Sequence, residues 1–366
     1  MADLPELIVH IGAGKAGSTS LQFTLRRNAE ALSAAGLSYM GLALEEIPGA
    51  ERHGWCERDR PQLFFSSGPD DYIDDQIVAL LRGELKRLAG LGVRQAVWSN
   101  EAFLVQKWRV LRVLARLAEE GVRIRPVVYV RRHDKRAVSA FMEFEIRSKR
   151  HKGGLHPFAQ WLDGAAGSLT YADHVQAWAA RFPNTEIYNF DEIGDVAQHF
   201  CKTLLGIEGL ESERANEARA PGLMTAWAIF SGSRNFPTWS VAFRRLAGPL
   251  LILHGHLRPV PKPQELMPKE ADIEGVQARF AEDLQKVNAL LEAQGQPPMA
   301  FDKVTPPNIE ATDWELQQML FNMAFALQDQ VLTLKGEVAE LRGRLDALEP
   351  GEGTTKTGAE TGTKVG

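Results

Sequence analysis

His10-Ile11-Gly12-Ala13-Gly14-Lys15-Ala16-Gly17-Ser18-Thr19-Ser20-Leu21-Gln22 follows directly on the apolar run Leu7-Ile8-Val9. The run reads as a short buried strand, and the glycine-rich stretch as the turn that leaves it. Ser18 to Ala35 then has helical spacing, with Leu21, Leu25 and Leu32 apolar and Arg26, Arg27 and Glu30 between them. A strand that turns through glycines into a helix is where α/β folds hold anions, because the first amides of the helix and its positive end face the same point. Gly12, Gly14 and Gly17 match G-x-G-x-x-G, but a dinucleotide site also wants an acid about 20 residues on. The second strand ends Ser38-Tyr39-Met40-Gly41, and no acid comes before Glu45. Phased as G-x-x-x-x-G-K-[ST] on Gly12 and Gly17, the NTPase loop would put Ser18 where its lysine belongs. Lys15 precedes the last glycine and so enters the turn from the other side.

The rest of the chain repeats the alternation. Leu37 to Gly41, Arg94 to Ser99, Arg125 to Val130 and Glu186 to Phe190 read as strands. Ile73 to Leu91, Val105 to Glu120 and Asp134 to Arg150 read as helices, and from Asp195 onward the pattern is mostly helical. This predicts an α/β fold: a P-loop-like parallel sheet flanked by helices, with a helical C-terminal region. Residues 42 to 72, rich in Gly, Pro and charge, are expected to form a long loop.

A lysine two residues before a glycine, followed by consecutive hydroxyls, resembles the 5′-phosphosulfate loop of sulfotransferases that use 3′-phosphoadenosine-5′-phosphosulfate (PAPS). The likeness is strongest to bacterial members with an HIG-x-x-K-T-G-S/T-T-S start; Ala16 stands where those have threonine. A second motif lies after the fourth strand, in Arg131-Arg132-His133-Asp134-Lys135-Arg136-Ala137-Val138-Ser139. An arginine at the strand end with a serine eight residues on resembles the 3′-phosphate site of that family. The resemblance spans residues 6 to 210 and implies that Gly14, Lys15, Gly17, Ser18, Thr19, Ser20, Arg131 and Ser139 bind the nucleotide, with Lys15 also catalytic. The alternative for the second motif is a solvated basic helix face. Residues 102 to 152 carry 14 Lys and Arg against 5 Asp and Glu in a chain of net charge −5, which favours a binding role. No R-K-G-x-x-G segment is found, so the adenine contacts stay open.

Sulfuryl transfer requires no metal, and neither metal-ligand spacing nor a four-cysteine set is seen in the sequence, so none is expected. The acceptor needs a base. Glu101 ends Ser99-Asn100-Glu101 at the carboxyl end of the third strand, where related bacterial sequences often carry Ser-x-Glu; its alternative is to cap the following helix. His53, in the long loop, is the other candidate, with a solvent-exposed loop histidine as its alternative. His10 reads as a core residue. Trp55, Phe64, Phe65, Phe141 and Phe144 are candidates to stack on a sugar or aromatic acceptor.

With 366 residues, 44% hydrophobic and 24% charged, the chain can bury a large core, which excludes collagen-like, disulfide-rich and wholly disordered classes. Its net charge gives no global pull toward nucleic acid. No apolar run reaches the roughly 18 residues of a membrane helix, and no signal peptide is read at the start. Two cysteines, Cys56 and Cys201, fit a reducing, cytoplasmic compartment.

Leu316, Leu320, Met323, Leu327, Val331, Leu334, Val338, Leu341, Leu345 and Leu348 follow steps of 4 and 3 with one 4-4 step at Leu327. This is a coiled-coil stripe with a single stutter, and self-association is favoured over packing on its own domain. The expected organisation is a sulfotransferase-like domain over 1–300 (nucleotide-binding core 6–210, helical part 211–300), a coiled-coil helix over 312–349 and a disordered tail over 350–366. The expected activity is transfer of a sulfuryl group from PAPS to a hydroxyl or amine of a small-molecule or carbohydrate acceptor. A P-loop-like small-molecule or nucleotide kinase, and a coiled-coil assembly protein with a vestigial nucleotide fold, are the alternatives.

Overall fold

In the computed structural model, the run Leu7-Ile8-Val9 sits at the centre of a five-stranded parallel sheet and is wholly buried. The structure describes residues 3–57, 60–66, 70–211, 221–232, 234–239, 241–243, 263–309 and 311–346. The strands are β1 (Glu6–His10), β2 (Leu37–Tyr39), β3 (Gln95–Ser99), β4 (Ile124–Val130) and β5 (Glu186–Asn189), in the order β2-β3-β1-β4-β5. The register pairs Ile8 with Val97 on one side and with Arg125 on the other. A central parallel strand is covered on both faces, which is why β1 reads as a continuous apolar run.

The helices between strands are α1 (Ser18–Arg27), α2 (Ala29–Ala34), α3 (Leu63–Ser66), α4 (Asp70–Gly90), α5 (Lys107–Glu119), α6 (His133–Phe141), α7 (Phe158–Ala165) and α8 (Ala172–Arg181). The sequence predicts one helix from Ser18 to Ala35; the structure breaks it at Asn28, whose backbone leaves the helical region. The Asn28 side chain donates to Thr24 O at 2.8 Å, an alternative to the helix ladder that asparagine commonly offers. The helix expected from Asp134 to Arg150 is also two pieces: α6 ends at Phe141 and a π-helical segment follows over Met142–Arg147. Such π segments often mark functional sites.

Residues 42 to 72 hold more structure than expected, with a 3₁₀ turn at Ala50–Arg52 and α3. The aromatics there explain it. Trp55 is buried against Phe64, Phe64 against Trp98 and Phe103, and Phe141 against Phe158. These three belong to the core and are withdrawn as acceptor platforms. Phe144 is 36% exposed, under the Arg150 guanidinium.

Much of the basic excess is likewise structural. On α5, Arg109 and Arg112 pair with Asp70 and Asp74 of α4, and Arg116 with Asp75. The apolar face of α5, with Val110, Val113, Leu114 and Leu117, is turned into the core.

The contacts divide the chain into two units, 1–238 with 258–310, and 239–257 with 311–366. The first holds the sheet and the helices Glu270–Arg279 and Ala281–Ala293. In the second, one helix runs from Asp313 to Asp346. Its stripe residues Leu320, Val331, Leu334, Val338, Leu341 and Leu345 are exposed. Residues 347–366, with the expected end of the coiled coil and the tail, lie outside the described residues. No described helix is long and apolar enough to cross a membrane. Cys56 and Cys201 are buried and unbridged.

Candidate functional site

The turn Gly12–Gly17 is held in unusual backbone geometry. Gly12 has φ +55°, and a β-carbon there would lie 2.5 Å from Glu101 Cα, so only glycine allows the close approach. Gly17 precedes α1 at φ +83°, where a β-carbon would lie 2.9 Å from Val196 Cβ. Between them Lys15 adopts φ +72°, a left-handed conformation that costs a non-glycine residue about 1 kcal/mol or more. Strain of this kind persists where the surroundings enforce it. Three contacts do so here. Arg131 Nη1 donates to Lys15 O at 3.0 Å, Arg136 Nε donates to Gly14 O at 3.3 Å, and Lys15 Nζ donates to Glu143 Oε2 at 3.4 Å.

The first ladder bond of α1 runs from Leu21 N–H to Gly17 O, so the amides of Ser18 and Thr19 precede the ladder. Ser18 Oγ is buried without a hydrogen-bond partner, while Thr19 is exposed. The positive end of α1, the Lys15 ammonium and these hydroxyls therefore surround one turn. Burial lowers the Lys15 ammonium from its ordinary value, and Arg147 and Arg131 add to that; Glu143 pushes it back up. Glu143 also receives Arg147 Nη1 at 2.5 Å, so one carboxylate serves two cations.

The basic run after β4 is not a solvated face. Arg132, His133, Asp134 and Arg136 are all buried. Arg132 is bound to Asp134 and Asp302, His133 to Asp283 and Lys135 to Asp191. Arg136 gives its donors to the carbonyls of Gly14, Ser168 and Leu169 and lies over the Tyr171 ring. Arg131 differs. Among the described residues it has no carboxylate in ion-pair contact, its Nε is buried without a partner, and its guanidinium lies 5.1 Å from the centre of the Phe190 ring. Burial lowers its pKa from the ordinary arginine value, while the charges of Asp191 and Asp134, outside ion-pair contact, push it back up. Tyr171 fixes the backbone beneath it, its hydroxyl donating to Arg131 O at 2.8 Å. Ser139 stands on α6, half-buried.

Glu101 comes close to the turn through Gly12, and its Oε2 accepts from Gln22 Nε2 at 2.9 Å. Gln22 also reaches Ser99 Oγ at 3.4 Å, which in turn contacts His10 Nδ1 at 2.8 Å. The helix-capping alternative for Glu101 is removed, because α5 starts only at Lys107 and the local turn is closed by Asn100 Oδ1 accepting from Ala102 N. His10 is a core residue: wholly buried, its pKa is brought down to about 3 by desolvation. His53, in the long loop, meets a different neighbour. Its ring stacks on Trp55 at 5.0 Å, and it makes no described contact with Gly12–Ser20 or Glu101. A cleft of 260 Å³ lined by Thr24, Gln198, Cys201, Lys202 and Glu208 touches none of these residues.

Thus Gly14, Lys15, Gly17, Ser18, Glu101 and Arg131 are gathered around one turn, while His53 is not tied to it. Glu143, Arg147, Arg136, Tyr171 and Phe190 are contributors to which the sequence gives no site role. Arg136 lies in the same run as Arg131, but nothing in the pattern sets it apart. Glu143 carries no spacing signal, since Lys15 stands 128 residues before it.

Retinol dehydratase in complex with androsterone and the inactive cofactor PAP is a distant structural neighbour, at 14% sequence identity and a TM-score of 0.24, with 90% of this chain and 81% of that chain covered. No family model and no curated protein matches the sequence.

Proposed function

We propose that the protein is a sulfotransferase that moves a sulfuryl group from PAPS to a hydroxyl or amine of a small-molecule or carbohydrate acceptor. The observation that carries this reading is Arg131, a half-buried guanidinium with no carboxylate in ion-pair contact among the described residues, its Nε buried without a partner and its Nη1 bonded to the carbonyl of Lys15. It supports two adjacent anion sites, one at the turn and one at Arg131, as a nucleotide phosphorylated at both 5′ and 3′ positions requires. PAPS supplies the activated sulfuryl group, and adenosine 3′,5′-bisphosphate leaves.

In this reading Ser18, Thr19, Ser20 and the amides of Gly14 and Gly17 hold the 5′ end. Lys15 turns from Glu143 to the oxygen where charge builds as the sulfur–oxygen bond breaks. Arg131 holds the 3′-phosphate by charge-assisted bonds, with Ser139 beside it. Glu101, kept in place by Gln22, takes the acceptor proton as the new oxygen–sulfur or nitrogen–sulfur bond forms. His53 is the second candidate for that proton, from the long loop. The free, buried thiols of Cys56 and Cys201, each pushed up to about 12, suit a reducing cytoplasmic compartment.

Calorimetry with adenosine 3′,5′-bisphosphate tests the reading. One site per chain, formed without Mg²⁺ and weakened by loss of the 3′-phosphate, is the expected result. Preference for ATP with Mg²⁺ would replace it by the kinase alternative, and no binding of either would favour an assembly role.

A further inference from the structure

Beyond the turn, the π-helical segment leads into a loop that returns on itself, and three side chains meet there. Glu145 is 1% exposed, and its carboxylate receives the imidazoles of His151 and His156. His151 Nε2 lies 3.0 Å from both Glu145 oxygens, and His156 Nδ1 lies 3.4 Å from Oε1. The donor atoms of the three residues all lie within 4.8 Å of one another.

His151 Nδ1 lies 3.0 Å from Lys152 O, and a carbonyl only accepts, so this nitrogen is placed to donate. Nε2 faces the Glu145 carboxylate at 3.0 Å, a gap that either a second ring proton or a bound cation fills. A ligating histidine commonly binds metal through one nitrogen while the other donates to a backbone carbonyl, which is the arrangement seen here.

We propose that Glu145, His151 and His156 form a binding site for a divalent transition metal, Zn²⁺ first. Two imidazoles and one carboxylate are a donor set that Zn²⁺ accepts, with a fourth position left to water. Zn–ligand bonds of about 2.0–2.2 Å in a tetrahedron set donor atoms about 3.3–3.6 Å apart, and the carboxylate–imidazole separations of 3.0 and 3.4 Å are close to this. The loop is anchored from outside the site by Lys149 Nζ, which donates to the carbonyls of Gly153, Ser231 and Arg234, and from within it by His156 N–H, which donates to Glu145 Oε1 at 2.6 Å. His151 and His156 are about one-third exposed, which gives the ion a path in. Bound metal would tie down the segment that carries Glu143, the partner of Lys15.

The full chain, tag-free and stripped with a chelator, is titrated with Co²⁺ and then with Zn²⁺. One equivalent of Co²⁺ with intense visible d–d absorption, displaced by Zn²⁺, is expected. His151→Ala and His156→Ala should each weaken Zn²⁺ by more than about a hundredfold, since even outer partners of a metal site are worth roughly 10–100-fold. Both side chains are partly exposed, so these variants should fold. Absence of the band, or Zn²⁺ affinity unchanged in the double variant, would overturn the site and leave a histidinium–carboxylate pair. Adenosine 3′,5′-bisphosphate binding, measured on the same samples, reports separately on the proposed function.

Discussion

Arg131 donates from Nη1 to the backbone carbonyl of Lys15 at 3.0 Å, a bond that joins residues 116 positions apart. It ties the end of β4 to the turn after β1, two strands that are neighbours in the sheet. It also holds the peptide of a residue in left-handed geometry, so the guanidinium helps to shape the turn as well as to charge it. The two motifs read from the sequence are therefore parts of one structure, and their contributions can be separated by measuring rate and affinity apart.

Lys15→Ala is expected to lower kcat far more than it weakens nucleotide binding, because the lysine contact grows as charge develops on the leaving oxygen. Single-turnover rates at saturating PAPS measure this. A near-wild-type rate would remove Lys15 from the reaction.

Arg131→Ala is expected to act mainly on affinity. A charge-assisted bond to a phosphate is worth roughly 1.5–3 kcal/mol, or about ten- to a hundredfold. Arg131→Lys should recover little, because the fork that reaches Lys15 O and a phosphate together is lost. Calorimetry with adenosine 3′,5′-bisphosphate decides it, and equal affinity in wild type and Arg131→Ala would exclude the residue from the site.

Glu101→Gln is expected to reduce kcat by about 10²–10⁴-fold, the usual range for a lost general base, with nucleotide affinity retained. The same substitution at His53 gives the comparison. A larger loss in His53→Gln than in Glu101→Gln would transfer the role of base to the loop.

Glu143→Gln moves a pH limb. Glu143 raises the Lys15 pKa through its charge and hydrogen bond, against burial and two arginines that lower it. Removing that carboxylate leaves the lowering effects unopposed, so the ammonium is lost at lower pH. The rate requires the protonated lysine and falls as pH rises through its pKa. The alkaline limb of kcat/KM, which reports the free enzyme, should therefore shift to lower pH in the variant. An unmoved limb would show that Lys15 does not control it.

β1, β3 and β4 were legible because parallel strands buried on both faces leave apolar runs, and the short edge strands β2 and β5 from their place in the alternation; all five were read within one or two residues at each end. Lys15 and Arg131 were legible because they sit at fixed steps from a strand end. What was hidden depends on side chains that meet only in the fold. Trp55, Phe64 and Phe141 stand in segments that read as variable loop or helix, and burial alone shows them to be core. Besides Asp134, which pairs with Arg132 from within the run, the carboxylates that meet Arg132, Lys135 and His133 are Asp302, Asp191 and Asp283, far along the chain. With those partners in place, Arg131 is the arginine of this run that keeps an unpartnered Nε among the described residues. His151 and His156 have four residues between them, within the H-x3–5-H spacing of zinc ligands that the sequence reading passed over, and the bend after the π segment brings Glu145 to them.

The last prediction concerns the helix Asp313–Asp346. Val331, Leu334, Val338, Leu341 and Leu345 keep the 4-3 repeat, and all are exposed on the single chain. A helix that repeats leucine at this period, with Glu337, Glu340, Arg342 and Arg344 beside the stripe, can bury it against a second copy through knobs-into-holes packing. The flanking ion pairs would set register more than strength, since exposed pairs contribute about 0–1 kcal/mol each. A truncation that tests this must spare the first unit. Ile309 is 3% exposed and its carbonyl accepts from Thr225 Oγ1, so the cut belongs after residue 310. The full chain should scatter light as an oligomer and the 1–310 chain as a monomer, with equal affinity for adenosine 3′,5′-bisphosphate. If both chains have monomer mass, the stripe is not a contact between copies; if nucleotide affinity falls with the cut, the helix is not independent of the site.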